Sequence, residues 1–306
     1  MPSIQPGGTL DDAIRFYEKG EYRQAIELLL QLRGVSSNDP GVRLWLGKSY
    51  LKTRDWDGAV REIGKATQLQ PSNAHYFLWL GRACGAKAAH SFPLLAPRWA
   101  RRVVKEFETA RNLSPNDLSI RFDLLEYYLE APGFLGGGQD KANAEALDIS
   151  KLDPQKGYIA RSTILSKDKK WDMAKKELIQ ATIDFPKNAN AFKDLADFLL
   201  ERQDFEGAFQ YARKALAIDS QSKGSLLIMA AAAIHLRTEL DNSEKILNNL
   251  ALGPLTDSDP AFEEVYYWLG KCYLAKGEKA KADTAFKTAL SFNPDYEKAR
   301  EPLQSR

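Results

Sequence analysis

Reactive and metal-binding residues are scarce in this sequence of 306 residues. It has two cysteines, Cys84 and Cys272, which lie far apart within helical patterns, and three histidines, His75, His90 and His235. None of these residues stands at the spacing of a zinc motif or a disulfide framework, so the sequence predicts no metal and no cofactor. The GxSxG motif of a nucleophilic serine is also missing. We therefore predict that the chain is not an enzyme.

Long apolar runs are missing as well. The longest candidate, SLLIMAAAAIHL at 225–236, is too short to span a bilayer, so we predict no insertion into a membrane. The first residues, MPSIQPGGTL, lack the basic start and apolar stretch of a secretory leader. We expect either a chain without a leader or one from which a leader has been removed, which leaves the location of the protein open.

Neither sign of charge dominates the composition. Hydrophobic residues make up 44% of the chain and charged residues 27%, and the net charge is +2. This balance is typical of a folded protein in water. The charge is too small to indicate a nucleic-acid partner, and we predict none.

What the sequence does contain is a repeat with a period of about 34 residues. The clearest copy is YWLGKCYLAKGEKAKADTAFKTALSFNP at 267–294, in which Gly270 and Ala282 precede Pro294. The segment WLGKSYLKTRDWDGAVREIGKATQLQP at 45–71 has matching residue types at the same spacing. The small residues allow two helices to approach closely, and the proline ends the second helix. The period therefore predicts helix pairs.

These residues resemble the tetratricopeptide repeat. The resemblance implies an all-α fold, a right-handed superhelical solenoid of about eight helix pairs with a concave groove. We predict one domain over residues 1–306, with a C-terminal capping segment at 295–306. The pairs are predicted at 9–33, 42–70, 74–114, 117–153, 156–185, 190–219, 224–252 and 261–293. Residues 78–89 and 124–146 further resemble bacterial tetratricopeptide proteins of undefined function.

Two inserts interrupt the regular repeat. About ten extra residues surround 91–102, where prolines force a break that is either a longer loop or an added turn of helix. The segment 131–141 is rich in glycine and separates two helices, the second of which Asp140 is predicted to cap. The role of either insert stays open.

A basic cluster follows the first insert, and it comprises Arg98, Trp99, Arg101, Arg102 and Lys105. It has two interpretations. The cluster attracts phosphate groups or acidic lipids, or it is a solvated helix face with the tryptophan packed against the array.

The family resemblance implies that the first helix of each pair lines the groove. The candidate ligand-binding residues on these helices are Trp45, Lys48, Lys52, His75, Trp79, Arg82, Glu126, Tyr267, Trp268 and Lys271. Trp45 and Trp79 are 34 positions apart and each precedes a basic residue, an arrangement that suits an extended peptide with acidic groups. The alternative is that both tryptophans pack between helices. Acidic residues, including Asp197, make the middle of the groove negative.

The leading hypothesis is an adaptor or scaffold, predicted to be monomeric, that holds a peptide or helix of a partner protein in its groove. Two alternatives stay open. The chain is a structural component that uses its edges in a larger assembly, or it is an accessory subunit of an enzyme system.

Overall fold

The structure is a computed structural model that describes residues 8–304. Within this range it contains seventeen α-helices and one short 3-10 helix, and no strand. The predicted all-α repeat fold is confirmed. The expectation on a leader falls largely on residues 1–7, and the predicted capping segment extends to residues 305 and 306; these positions lie outside the described residues.

Sixteen helices follow one another as eight pairs, and a last helix, α17 (Glu297–Gln304), comes after them in the described chain. The first four pairs are α1 (Leu10–Glu18) with α2 (Tyr22–Val35), α3 (Pro40–Lys52) with α4 (Trp56–Leu69), α5 (Ala74–Ala89) with α6 (Ala96–Leu113), and α7 (Leu118–Glu130) with α8 (Gln139–Leu152). The other four are α9 (Pro154–Lys167) with α10 (Trp171–Asp184), α11 (Ala189–Glu201) with α12 (Phe205–Ile218), α13 (Lys223–Leu236) with α14 (Leu240–Leu252), and α15 (Phe262–Ala275) with α16 (Lys279–Phe292).

The chain divides into two compact units. The first comprises Met1–Tyr17 and Glu21–Lys170, and the second comprises Glu18–Gly20 and Trp171–Arg306. In the first unit α3 contacts α5, and in the second α11 contacts α13, which in turn contacts α15. First helices of successive pairs therefore pack side by side within each unit.

Glycines mark the points of closest approach inside the pairs. A Cβ atom added at Gly47 would lie 2.3 Å from the Ile63 side chain, and one added at Gly270 would lie 2.5 Å from the Phe286 ring. Each glycine stands on the first helix of a pair and each large side chain on the second. The small residues of the repeat thus permit the helices to touch.

Aspartates cap several first helices. The Asp39 and Asp117 carboxylates accept hydrogen bonds from backbone N–H groups in the first turns of α3 and α7. The same role predicted for Asp140 is wrong, because α8 begins one residue earlier, at Gln139, and Asp140 already lies in its first turn. Gly138, with φ +153°, occupies the capping position, and no side chain accepts a hydrogen bond there.

The first insert is divided between added helix and loop. α5 continues to Ala89 and α6 starts at Ala96, so only six residues remain between them. The second insert contains the 3-10 helix Gly133–Leu135. The Tyr127 hydroxyl lies 2.8 Å from the Ala100 carbonyl oxygen and 2.7 Å from that of Leu135, so it can donate its proton to either insert.

Candidate functional site

Aromatic rings and basic side chains alternate on the first helices of the first unit. The Lys48 Nζ atom lies 3.6 Å from the centre of the Trp45 ring and 4.5 Å from that of Trp79. The Arg82 guanidinium lies 4.9 Å from the Trp79 ring centre. The structure therefore brings four of the sequence-predicted site residues, from α3 and α5, into one cluster, which cation–π contacts stabilise.

Most side chains of this cluster are buried or already paired within the protein. Lys48 is only 3% exposed and Trp79 8% exposed. The Arg82 guanidinium donates to the two Asp123 carboxylate oxygens at 2.6 and 3.0 Å. A ligand on this surface would instead meet the more accessible residues, which include the half-buried Trp45 of the cluster.

His75, Lys52 and Glu126 complete the predicted set in this unit. His75 is exposed, and its Nε2 atom accepts a hydrogen bond from the Trp79 indole at 3.0 Å. Lys52 is half-buried at the end of α3. The Glu126 side chain reaches solvent, but surrounding protein reduces its solvation and, with the negative charge of Asp123, raises its pKa.

The last three predicted residues lie in the second unit, on α15. The Tyr267 ring contacts the rings of Phe286 and Tyr296, at centroid distances of 6.1 and 5.8 Å. Trp268 is buried, whereas Lys271 is half-buried. In this structure Tyr267 and Trp268 therefore hold helices together, and Lys271 is the more accessible of the three.

A cavity of about 430 Å³ opens on the first helices of the second unit. The residues from α11, α13 and α15 that line it include Asn190, Lys193, Asp197, Lys223, Leu227, Ile228 and Glu264. The loops before α13 and α15 complete its wall, with Ser222 and Asp259 among their residues. Sequence reasoning noted the acidity of Asp197 but missed Lys193 and Glu264. The available signal was their helical spacing: Lys193 and Asp197 share one face of α11, and Glu264 lies near the start of α15.

Two lysines at this cavity are held by aspartates. The Lys193 Nζ atom lies 2.7 Å from an Asp194 carboxylate oxygen. The Lys223 Nζ atom lies 2.9 Å from Asp259 Oδ2 and 2.7 Å from the Pro254 carbonyl oxygen. Each lysine is therefore balanced by a nearby carboxylate, and the charges of Asp197 and Glu264 give the cavity a negative surplus.

The pKa values of these two carboxyl groups show the same imbalance. Surrounding protein reduces the solvation of Asp197 and raises its pKa, although Lys193 acts in the opposite direction. Reduced solvation also raises the pKa of Glu264, and the negative charge of Asp197 adds to the effect. The positive charge of Lys298 lowers both pKa values only in part, so a further cation beside the two carboxyl groups would relieve the repulsion that is left.

The thiols and possible metal ligands offer no comparable site. Burial raises the pKa of Cys84 to about 12 and that of Cys272 to about 11, so both thiols stay protonated near neutral pH and are weak nucleophiles. Across residues 8–304 no group of three histidine, cysteine or carboxylate side chains is arranged to hold a metal ion. No helix in that range has both the length and the apolar character to cross a membrane.

Family profiles agree with the helix-pair geometry. Two profiles, both described as tetratricopeptide repeat, match residues 10–74, 46–87 and 160–223 in one case and 263–300 in the other. The chain belongs to the tetratricopeptide repeat family. Proteins with this repeat generally mediate protein–protein interactions, and the family typically comprises adaptors without catalytic activity.

Similar proteins share the repeat at low sequence identity. The chain is 23% identical over 220 residues to the TPR repeat-containing protein MJ1428 of Methanocaldococcus jannaschii, an alignment that covers 69% of this chain and 38% of that protein. The chain thus spans well under half the length of this curated relative.

Two solved structures show the same fold. Yeast Tom70 superposes with a TM-score of 0.63 at 15% identity, over 99% of this tetratricopeptide chain and 64% of that one. The Cut9–Hcn1 hetero-tetramer of the APC/C gives a TM-score of 0.50 at 14% identity, over 96% of this chain and 54% of that one. At such identities the likeness concerns the fold alone.

Proposed function

We propose that this chain is an adaptor that binds an extended segment of a partner protein on its first helices. In the second unit, a lysine or arginine side chain of that segment enters the cavity beside Asp197 and Glu264. The observation that carries this proposal is the cavity itself, because it joins a concave surface to a surplus of negative charge.

The chemistry of the cavity walls suits a long basic side chain. Leu227 and Ile228 are buried apolar residues that can pack against a methylene stem. The Asp197 and Glu264 carboxylates can accept charge-assisted hydrogen bonds from its head. Lys193 and Lys223 repel a ligand cation only weakly, since Asp194 and Asp259 offset their charges. An acidic segment gains none of the charge-assisted hydrogen bonds, and a purely apolar segment gains only the packing against Leu227 and Ile228.

The first unit has a contact surface of its own for a partner segment. Trp45, His75 and Glu126 are its more accessible residues, and Lys52 lies at the end of the same face. The buried Lys48 and the paired Arg82 hold the tryptophan rings in place, which reduces the entropy lost when a ligand binds.

The test begins with the partner that co-purifies with the chain from its native source. Its binding segment is identified by mass spectrometry, and the affinity of the corresponding peptide is measured by calorimetry. Asp197→Asn combined with Glu264→Gln should weaken binding about tenfold or more, because a partly buried cation loses both carboxylate partners.

A matched control separates the cavity from general electrostatics. Asp172→Asn combined with Glu206→Gln removes the same charge from exposed positions in the first turns of α10 and α12. This control should leave the affinity nearly unchanged. Equal affinity of the cavity variant and the parent chain would reject the cavity as the binding site.

A further inference from the structure

The two inserts that interrupt the repeat lie against each other. The Tyr127 hydroxyl is within hydrogen-bonding distance of the Ala100 carbonyl on α6 and of the Leu135 carbonyl in the second insert. The 3-10 helix of the second insert also contacts α6 directly. The two segments in which this chain departs from a regular repeat therefore adjoin each other at α6.

This surface exposes large apolar side chains. In the loop between α5 and α6, Phe92 is 68% exposed, Leu94 83% and Leu95 53%. Phe134, in the 3-10 helix, is 74% exposed. Single exposed apolar residues are common in proteins, but three within four consecutive positions, with a fourth on the adjoining insert, mark an interaction surface.

Basic side chains lie on both sides of the apolar loop in the sequence. Residues 85–105 carry five basic side chains and no acidic one. Lys87 pairs with Asp57 and Arg102 with Glu106. The other three, Arg98, Arg101 and Lys105, are exposed.

Those three cations have no acidic partner in this unit. Across residues 8–304, no carboxylate oxygen lies within 4.0 Å of their charged nitrogens. The surface therefore combines protruding apolar groups with unbalanced positive charge, and its complement is apolar and negatively charged.

We propose that this insert surface, formed by Phe92, Leu94, Leu95, Phe134, Arg98, Arg101 and Lys105, binds the surface of an anionic lipid membrane. The apolar loop enters the boundary between headgroups and acyl chains, and the three cations contact lipid phosphates. Trp99, flanked by Arg98 and Arg102 at 6.0 and 5.8 Å from its ring centre, lies directly after the loop, where an interfacial aromatic residue is favoured.

A membrane fits these observations better than a folded acidic protein does. Three of the four apolar side chains lie within one short loop and all four are more than half exposed, so they can enter a soft boundary without a preformed complementary surface. This activity is separate from peptide binding in the second unit, and it does not depend on that proposal.

Vesicle flotation with the full chain tests the proposal. The chain should float with vesicles of equal parts phosphatidylcholine and phosphatidylglycerol. With vesicles of phosphatidylcholine alone, it should remain at the bottom of the gradient. Arg98→Glu combined with Arg101→Glu should reduce the partition coefficient at least about 25-fold, since each cation near an anionic surface contributes a factor of about five. Phe92→Ser combined with Leu94→Ser should reduce it by about tenfold or more.

Matched variants at exposed sites elsewhere control for overall charge and hydrophobicity. Arg23→Glu with Arg213→Glu makes the same charge change, and Val35→Ser with Ile183→Ser makes a similar apolar change. Both should bind like the parent chain, and thermal melting monitored by circular dichroism should show that all variants are folded.

Three results would overturn the proposal. One is that the parent chain fails to float with anionic vesicles. Another is that the control variants lose binding as strongly as the insert variants. The third is that the insert variants float normally but lose an acidic protein from native extracts, which would identify that protein as the occupant.

Discussion

At the scale of single residues, the contact between Gly270 and Phe286 sets the spacing of the last helix pair. A Cβ atom at position 270 would lie 2.5 to 2.8 Å from three atoms of the fully buried Phe286 ring. Gly270→Leu should therefore lower the free energy of unfolding by about 1 to 3 kcal/mol through overpacking, measured by thermal or urea unfolding.

A second helical glycine provides the control for this prediction. The nearest atoms to a Cβ at Gly64 are 3.9 Å away, so Gly64→Ala should be neutral or slightly stabilising. If Gly270→Leu melted at the temperature of the parent chain, the tight contact between α15 and α16 would be refuted.

A buried carboxylate in the first unit makes stability dependent on pH. Glu62 is buried and pairs with Arg33 at 2.8 Å and Arg43 at 2.6 Å. Burial alone would raise its pKa, but hydrogen bonds from Arg43 and Arg61 and the charge of Arg33 outweigh burial, and the pKa falls below its ordinary value of 4.5.

The sign of the effect on stability follows from this lowered pKa. The unfolded chain takes up the proton at a higher pH than the folded chain, so the stabilisation is complete above about pH 4.5 and is lost as the pH falls through the lower folded value. Glu62→Gln should cost about 2 kcal/mol at neutral pH, and the gap to the parent chain should narrow in acid. Urea unfolding at several pH values measures this gap.

The exposed Glu27, also on a helix of the first unit, serves for comparison. Glu27→Gln should change stability little at any pH. A constant gap between Glu62→Gln and the parent chain from neutral to acidic pH would contradict the linkage.

The contacts of Lys48 with Trp45 and Trp79 are predictable from the sequence only in part. The 34-residue spacing correctly relates Trp45 to Trp79, because equivalent helix positions recur with the repeat. It does not predict that the Lys48 side chain lies between the two rings, since that depends on rotamers and on how closely neighbouring pairs pack.

At the scale of elements, Tyr127 connects the two inserts to α7. Its hydroxyl is the shared hydrogen-bond donor for carbonyls of both segments. Tyr127→Phe should leave the helix pairs folded but loosen the second insert, at a cost of about 1 kcal/mol. Hydrogen exchange followed by mass spectrometry should show faster exchange in peptides covering residues 131–138.

Tyr273→Phe is the matched control for this measurement. It removes the hydroxyl of a half-buried tyrosine on α15, in the second unit. Exchange in 131–138 should be unaffected by this control. Unchanged exchange in Tyr127→Phe as well would show that the bridge does not order the insert.

The sequence predicts where the helices are. It does not predict which parts of the inserts are helix and which are loop. Asp39 and Asp117 precede their helices in the pattern of capping residues, which places the helix starts. In the first insert, Pro97 is compatible with either a loop or the first turn of a helix, and the structure places it in the first turn of α6.

At the scale of the whole molecule, the repeat determines the fold and leaves the binding site open. Stacked pairs bury their apolar stripes against their neighbours, so the period alone predicts an all-α array. The cavity of the second unit depends on residues from Asn190 to Glu264, contributed by three helices and two loops. No local pattern indicates that Asp197 and Glu264 meet there.

Site-specific cross-linking in the native source shows where on the molecule the partner binds. A photoreactive p-benzoylphenylalanine replaces Gln221, an exposed residue that lines the cavity, or Gln210, an exposed residue on α12 outside it. We predict one cross-linked partner from position 221, none from position 210, and loss of the product when Asp197→Asn and Glu264→Gln are added. Equal cross-linking from both positions, or a product at 221 that persists without the two carboxylates, would show that the partner does not bind at the cavity.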